Sequence, residues 1–455
     1  MNKLVAMILG TALLGAVKTT AAVATAGTNT VVVTADYLAQ LAAEMRTNHP
    51  ALRSASALTN AAGADIAAVR TWEDPMAIVG GLAASDEMRA SEGDIIYGVE
   101  QKLPLFGKPH LQRNVARAQL ATETARLDYQ FQQLRVELAK TAFRAALADR
   151  VVAIGEQDLT WLDSMKQLVD GNARVGKASL VEILQIQVEQ AKRANQLQTD
   201  RNQLTQEQVS LNRLLNRAGE APWPQLELPA LAGEVTYNQR LVDFALKYEP
   251  KTSVQRQQIQ QAEAMAAVAR RQKLPDVTAG IEARNYSGDG NFQQGMFTLR
   301  MNLPWFNHGK IQADIRREEA RVSAAQLELA DEQLAIREEL HLLIIKTDAA
   351  RREALLYRDQ IIPRAESTQE SVRANWLGGQ STFRDVLDTH RILLESRLMY
   401  VRAVAEQYDL LAELVLCCGL GDLNALQMIG AAPETAAPAP APVSPADHPA
   451  DKNQP

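Results

Sequence analysis

Two periodicities alternate along the chain. In DVTAGIEAR, Val277, Ala279, Ile281 and Ala283 fall on one side while Thr278, Glu282 and Arg284 fall on the other. In MFTLRMNL, Phe297, Leu299, Met301 and Leu303 alternate with Thr298, Arg300 and Asn302. A period of two predicts strands, with Ser287-Gly-Asp-Gly as the turn between them. A blurrier pair runs through Ile78 and Leu82, then Ile95, Tyr97, Val99 and Leu103. After each pair the spacing changes to seven. Val322, Leu329, Ile336, Leu343, Ala350 and Tyr357 carry it, with Leu340 in the intervening seam, and Leu120, Leu127 and Leu134 begin the same series earlier. That spacing predicts long helices supercoiled around their neighbours. The first, from Lys108 to about Asp170, would be roughly 95 Å long at 1.5 Å per residue, more than a globular core needs.

The two halves share one order. LPLFGKPH at Leu103–His110 returns as LPWFNHGK at Leu303–Lys310, HPAL at His49–Leu52 as EPKT at Glu249–Thr252, and RVGKASLVEIL at Arg174–Leu184 as LGGQSTFRDVL at Leu377–Leu387. An offset of about 200 residues is too long for a solenoid unit and predicts duplication of a half-domain. Each half reads as a helix of about 35 residues (Thr34–Arg70, Asn238–Gln272), two strands, a Leu-Pro corner, a long helix, a Gly-bearing turn and a returning helix. At the corners Pro104 and Pro304 lack the N–H that would continue a ladder, and their fixed φ suits a helix start. Pro363 in IIPRAE predicts a kink, whereas the aligned Thr160 needs none. The expected organisation is an export signal (1–26), a first repeat (27–225), a linker (226–237), a second repeat (238–424) and a Pro/Ala-rich tail (425–455) that cannot bury a core.

The export signal is read from Lys3, the apolar Leu4–Val17 and the small residues of AAVATAG. No other apolar run reaches the ~20 residues of a membrane helix, so any insertion must use strands. A net charge of -6 with 5% aromatic residues argues against a nucleic-acid surface. Cys417 and Cys418 give no disulfide framework and read as small fillers of a helix seam. His49, His110, His308, His341, His390 and His448 are scattered without ligand spacing, so neither an enzyme site, a metal site nor a cofactor is expected. Met76, Met88, Met296 and Met301 near the strands read as gap-fillers.

Four strands cannot close a barrel, for which about eight is the minimum. An open edge in lipid leaves backbone groups unpaired at several kcal/mol each. The sheet must therefore close with copies of itself: two chains would give eight strands and a filled interior, three would give twelve and a channel.

The repeated order, the Leu-Pro-x-Phe corners, GKASLVEILQ, GGQSTFRDVLD and IIPRAE together resemble the TolC-like outer-membrane efflux proteins. The resemblance implies a mixed, mainly α fold. It further implies a homotrimer with a twelve-stranded β-barrel among the lipids of a Gram-negative outer membrane and an α-barrel in the periplasm. Such a duct conducts passively from a periplasmic adaptor (membrane fusion) protein and an inner-membrane pump of RND or ABC type, with heavy-metal ions and drugs both open as cargo. It places Asp385 and Asp388 as carboxylate rings at the pore constriction, and Gly176, Ser179, Gly379 and Thr382 as adaptor-contact residues at the hairpin tips. On spacing alone Asp385 and Asp388 share one helix face and read as a solvated pair within reach of Arg384 or Arg391. Their first-half counterparts are Glu182 and Gln185. The rival reading, a periplasmic coiled-coil scaffold or adaptor without a barrel, leaves the paired alternating segments unexplained.

Overall fold

The computed structural model describes residues 30–81, 95–174, 176, 178–285, 290–421 and 423–430. The expected export signal, Leu82, Met88, Val175, Lys177, the turn residues Ser287–Asp289 and the tail from 431 onward lie outside them.

Strand β1 (Thr30–Val32) leads into α1 (Ala35–Asn48) and α2 (Pro50–Ala68). The single helix expected over Thr34–Arg70 is therefore two. Pro50 has no N–H to give and holds His49 extended, and the His49 Nδ1 accepts from the Ala51 N–H at 3.3 Å to start the next helix. Then come β2 (Met76–Gly81), β3 (Ile95–Lys102), the 67-residue α3 (Lys108–Arg174), α4 (Leu180–Leu215) and β4 (Gln225–Glu227). The expected helix Asn238–Gln272 breaks in the same way, into α5 (Gln239–Tyr248) and α6 (Pro250–Arg271), with the Glu249 carboxylate accepting from the Thr252 N–H at 2.5 Å. Strands β5 (Val277–Asn285) and β6 (Phe292–Met301), then α7 (His308–Leu356), α8 (Ile362–Leu377), α9 (Phe383–Cys417) and α10 (Leu423–Gly430) complete the chain. Residues 425–430, expected to open the tail, are thus helical.

At 1.5 Å per residue α3 is roughly 100 Å long. The spaced residues Ile336, Leu340, Leu343 and Ala350 of α7 are buried. Pro363 lies in the first turn of α8, directly after a π-helical turn over Tyr357–Ile361, while Thr160 sits inside the unbroken α3. The lost backbone bond at a proline and the wider turn before it are one irregularity. Each Leu-Pro corner makes a 3-10 turn before its helix begins, Leu105–Gly107 after Pro104 and Pro304–Asn307 at Pro304, so neither proline opens the α-helix directly.

The main apolar core is a belt at the waist, where α1, α5, α9 and α10 close on the middle of α3 and the C-terminal half of α7. Cys417 and Cys418 are buried in it, and burial pushes both thiols up, Cys418 to about 12. The segment joining the halves is strapped across this belt. Strand β4 pairs in parallel with β1, Asp149 accepts from the Leu226 N–H at 2.8 Å, and the Gln407 amide holds Ala232 from both sides at 3.1 and 3.2 Å. A second, smaller core lies just behind the hairpin turns, where Leu162, Met165, Val169 and Ile186 meet Trp376, Phe383, Val386 and Leu387.

The remaining strands form one antiparallel sheet in the order β2-β3-β5-β6. Its polarity is reversed from that of a soluble protein. Val79, Ile281 and Phe297 are 85%, 69% and 70% exposed, whereas Glu100 and Glu282 on the other face are 4% and 7% exposed. Among the described residues β2 and β6 each have one strand neighbour, so both edges of the sheet are open.

Candidate functional site

Two tripeptides build the inner face of the sheet, Gly98-Val-Glu100 on β3 and Gly280-Ile-Glu282 on β5. They run antiparallel with Val99 opposite Ile281, so Glu100 faces Gly280 and Glu282 faces Gly98. A Cβ at Gly280 would stand 2.7 Å from the Glu100 Cγ, and one at Gly98 would stand 2.5 Å from the Ile281 carbonyl oxygen. The glycines are the spaces into which the glutamates lean. Arg300 of β6 lies across them, with Nη1 2.7 Å from Glu100 Oε1 and Nη2 3.2 Å from Glu282 Oε1.

Alternation turns Val79, Tyr97, Val99, Ile281, Phe297, Leu299 and Met301 to the outside, all exposed. At the end of the sheet where the helices begin, Trp72, Phe106, Trp305 and Phe306 are exposed as well. An apolar band edged by aromatic rings, over a face that carries the charges, is the surface chemistry of a strand structure that meets lipid. Among the described residues no helix is long and apolar enough to cross a membrane.

At the far end both hairpin turns use one construction. Gly176 and Gly379 take the left-handed conformation, φ +74° and +76°, which closes a tight reversal between antiparallel helices. Ser179 then caps α4, accepting from the Glu182 N–H at 3.4 Å while its own N–H donates to the Glu182 carboxylate at 3.2 Å. Thr382 caps α9 reciprocally with Asp385, at 3.3 Å and 2.9 Å. Gly176, Ser179, Gly379 and Thr382 are all exposed.

The two sequence-predicted acids do different things in one chain. Asp385 belongs to the cap, and hydrogen bonds from the Thr382 hydroxyl and N–H hold its carboxyl below the usual range. Asp388 pairs with Arg391 at 2.9 Å and with Arg384 at 3.6 Å, and Arg391 also reaches Glu189 of α4. The local alternative, an ion-paired acid, therefore describes Asp388 within a single chain, and a helix cap describes Asp385.

One cluster gathers residues that lie far apart in the sequence, among them one of the scattered histidines. His390 Nε2 of α9 lies 2.5 Å from Asp158 Oδ1 of α3, and Arg193 Nε of α4 lies 2.8 Å from Asp158 Oδ2. Gln369 Nε2 of α8 is 2.7 Å from His390 Nδ1, and the Trp161 ring stacks on the imidazole at 3.4 Å between centroids. Asp158 is 5% exposed. Four helices from both hairpins are joined through one buried carboxylate and the imidazole it holds. Among the described residues no group of three or more His, Cys, Asp or Glu side chains could hold a metal ion.

The sequence profile of the outer membrane efflux proteins matches residues 41–217 and 241–420. The chain belongs to that family. Its relatives include the cobalt-zinc-cadmium resistance protein CzcC of Cupriavidus metallidurans, 22% identical over 281 residues, a match that spans 61% of this chain and 65% of that protein. Among solved structures, the outer-membrane channel OprN superposes with a TM-score of 0.73 at 18% identity, covering 85% of this chain and 90% of its own. The outer membrane protein VceC of Vibrio cholerae gives 0.70 at 18% identity, covering 85% and 97%. At these identities the likeness carries the fold: a mainly helical chain with a small sheet at one end.

Proposed function

We propose that three copies of this chain, exported by the signal at 1–26, join β6 of each to β2 of the next and form a twelve-stranded barrel in the outer membrane. The helices continue it as a tunnel through the periplasm, and the assembly conducts passively. The observation that carries this reading is the reversed sheet: apolar residues outside, Glu100, Glu282 and Arg300 inside, and an open edge on either side. Unpaired edges in lipid cost several kcal/mol per backbone group, and only closure removes them.

In this assembly Asp385 and Asp388 form the two carboxylate rings of the periplasmic constriction. Gly176, Ser179, Gly379 and Thr382 receive a periplasmic adaptor protein, which links the tip to an inner-membrane pump. Support for a docking tip comes from its exposed apolar residues, Leu180, Val181 and Leu184 after the first turn and Leu377 before the second. The likeness to a cobalt-zinc-cadmium resistance protein favours metal ions of that kind over drugs as cargo, delivered by an inner-membrane pump of the RND or ABC type.

The test is biochemical. The detergent-extracted particle should have three times the chain mass and a measurable β signal, and should open ion-conducting steps in a planar bilayer. A single chain that salt washes off membranes would establish the coiled-coil scaffold instead.

A further inference from the structure

The glutamates of the sheet are almost buried, yet the group that covers them is not. In the pairs with Arg300, the Glu100 and Glu282 side chains are 4% and 9% exposed while the Arg300 side chain is 59% exposed. Arg300 reaches diagonally across three strands. It starts on β6 opposite Thr278, sends one nitrogen to Glu282 on β5 and the other to Glu100 on β3. The planar guanidinium suits such a fork and a lysine would not, since its single ammonium cannot serve two separated carboxylates equally. Two side-chain-free positions make the arrangement possible, because Gly98 and Gly280 let the carboxylates lie flat against the sheet. Two further cations share this face by alternation: Lys102, held by Glu73 at 2.7 Å, and Arg284, two residues beyond Glu282.

We propose that Arg300, Glu100 and Glu282 set the charge selectivity of the strand-built part of the duct, with the guanidinium screening a carboxylate pair from passing ions. The proposal rests on the channel reading, in which this face lines the lumen and the triad repeats in three copies at one height. A permeating ion within the Debye length of the wall, ~8 Å at physiological salt, responds to whichever member of the triad is uncovered. Arg300 presents positive charge to the lumen and offsets one of the two negative charges behind it. Its removal exposes two carboxylates per chain, and removal of the carboxylates leaves an unbalanced guanidinium.

The experiment is the reversal potential of the full-length channel in planar bilayers under a KCl gradient. Arg300→Gln should raise the cation-to-anion permeability ratio about threefold, and Glu100→Gln with Glu282→Gln should lower it by a similar factor. Arg300→Lys, which keeps the charge and loses the fork, should fall between wild type and Arg300→Gln. Both shifts should shrink in 1 M salt, where screening acts within ~3 Å. A purely structural role predicts no shifts of opposite sign. If wild type and the two glutamine variants conduct with one reversal potential, the proposal is overturned and the channel reading stands. If wild type opens no steps, the channel reading itself fails. Should Arg300→Gln not insert, the double glutamate variant decides alone: a lowered ratio supports the triad and an unchanged one overturns it.

Discussion

Glu282 stands directly opposite Gly98 in the β3–β5 ladder, and the same register sets Glu100 opposite Gly280. Each strand supplies the carboxylate that fills the other's empty position. The contact ties the two halves of the chain together at the sheet, and it tolerates no side chain at either glycine.

Gly98→Ala should therefore block assembly of the sheet. Its Cβ would lie 2.5 Å from the Ile281 carbonyl oxygen and 3.0 Å from the Glu282 Cα, both backbone atoms with nowhere to go. Overpacking of this kind costs about 1–3 kcal/mol or more. Gly80→Ala is the control, since its Cβ would meet only the Ile96 Cβ, at an ordinary 3.8 Å. Membrane fractionation should recover Gly80→Ala with wild type and lose most of Gly98→Ala; equal recovery would contradict the crowding argument.

The tip acids should separate under substitution. Asp385→Ala removes the N3 half of a reciprocal cap and should destabilise the start of α9. Asp385→Asn keeps an acceptor oxygen, so Asp385→Asn with Asp388→Asn tests charge with the cap retained. That pair should weaken block by divalent or trivalent cations in single-channel recordings. Undiminished block would remove these residues from the constriction.

Asp158 should be among the most sensitive positions in the helices. Asp158→Ala leaves Arg193 and His390 without their shared partner in a buried setting, a loss of about 3–5 kcal/mol. Thermal unfolding of the detergent-solubilised particle should move clearly to lower temperature, and His390→Gln, which leaves the Arg193 pair intact, should move it less. An Asp158→Ala melt that overlays wild type would show that the cluster carries no stability.

Asp409 makes stability depend on pH. Burial between α9 and α3 pushes its carboxyl up to about 6, against the opposing pull of Arg144 and Lys140. Because the folded value lies above the unfolded one of about 3.9, the folded chain binds the proton more tightly. The resulting stabilisation is full below about pH 4 and is lost as pH rises to about 6, at most about 3 kcal/mol. Asp409→Asn should flatten this part of the stability curve, measured as the wild-type-minus-variant difference in melting temperature from pH 4 to 7. A difference constant across that range would show that Asp409 titrates normally.

Much of the fold was legible because it is periodic. The alternation at Val277–Ala283 and Phe297–Met301, the seven-residue spacing after Lys108 and His308, and the Gly turns at 176 and 379 are all carried by neighbours in the chain. The same holds for the caps: Ser179 with Glu182 and Thr382 with Asp385 are three residues apart. The helix breaks at Pro50 and Pro250 were equally local, and were missed because the apolar pattern runs through them. The three-residue strands β1 and β4 were missed because three residues have no readable period.

By itself, then, the amino-acid order determined which segments make the four-stranded sheet, which are long helices, where these turn, and that one copy holds too few strands to close. Tertiary structure alone decided which strands are neighbours, and so that Gly98 meets Glu282. It also decided that Arg300 spans both glutamates, that Gln407 straps Ala232 to the waist, and that Asp158 and His390 together join four helices. The reason is physical: periodicity reports what a residue does to its own helix or strand, whereas a pair such as Asp158 and His390 exists only once the register between distant elements brings two side chains to one point.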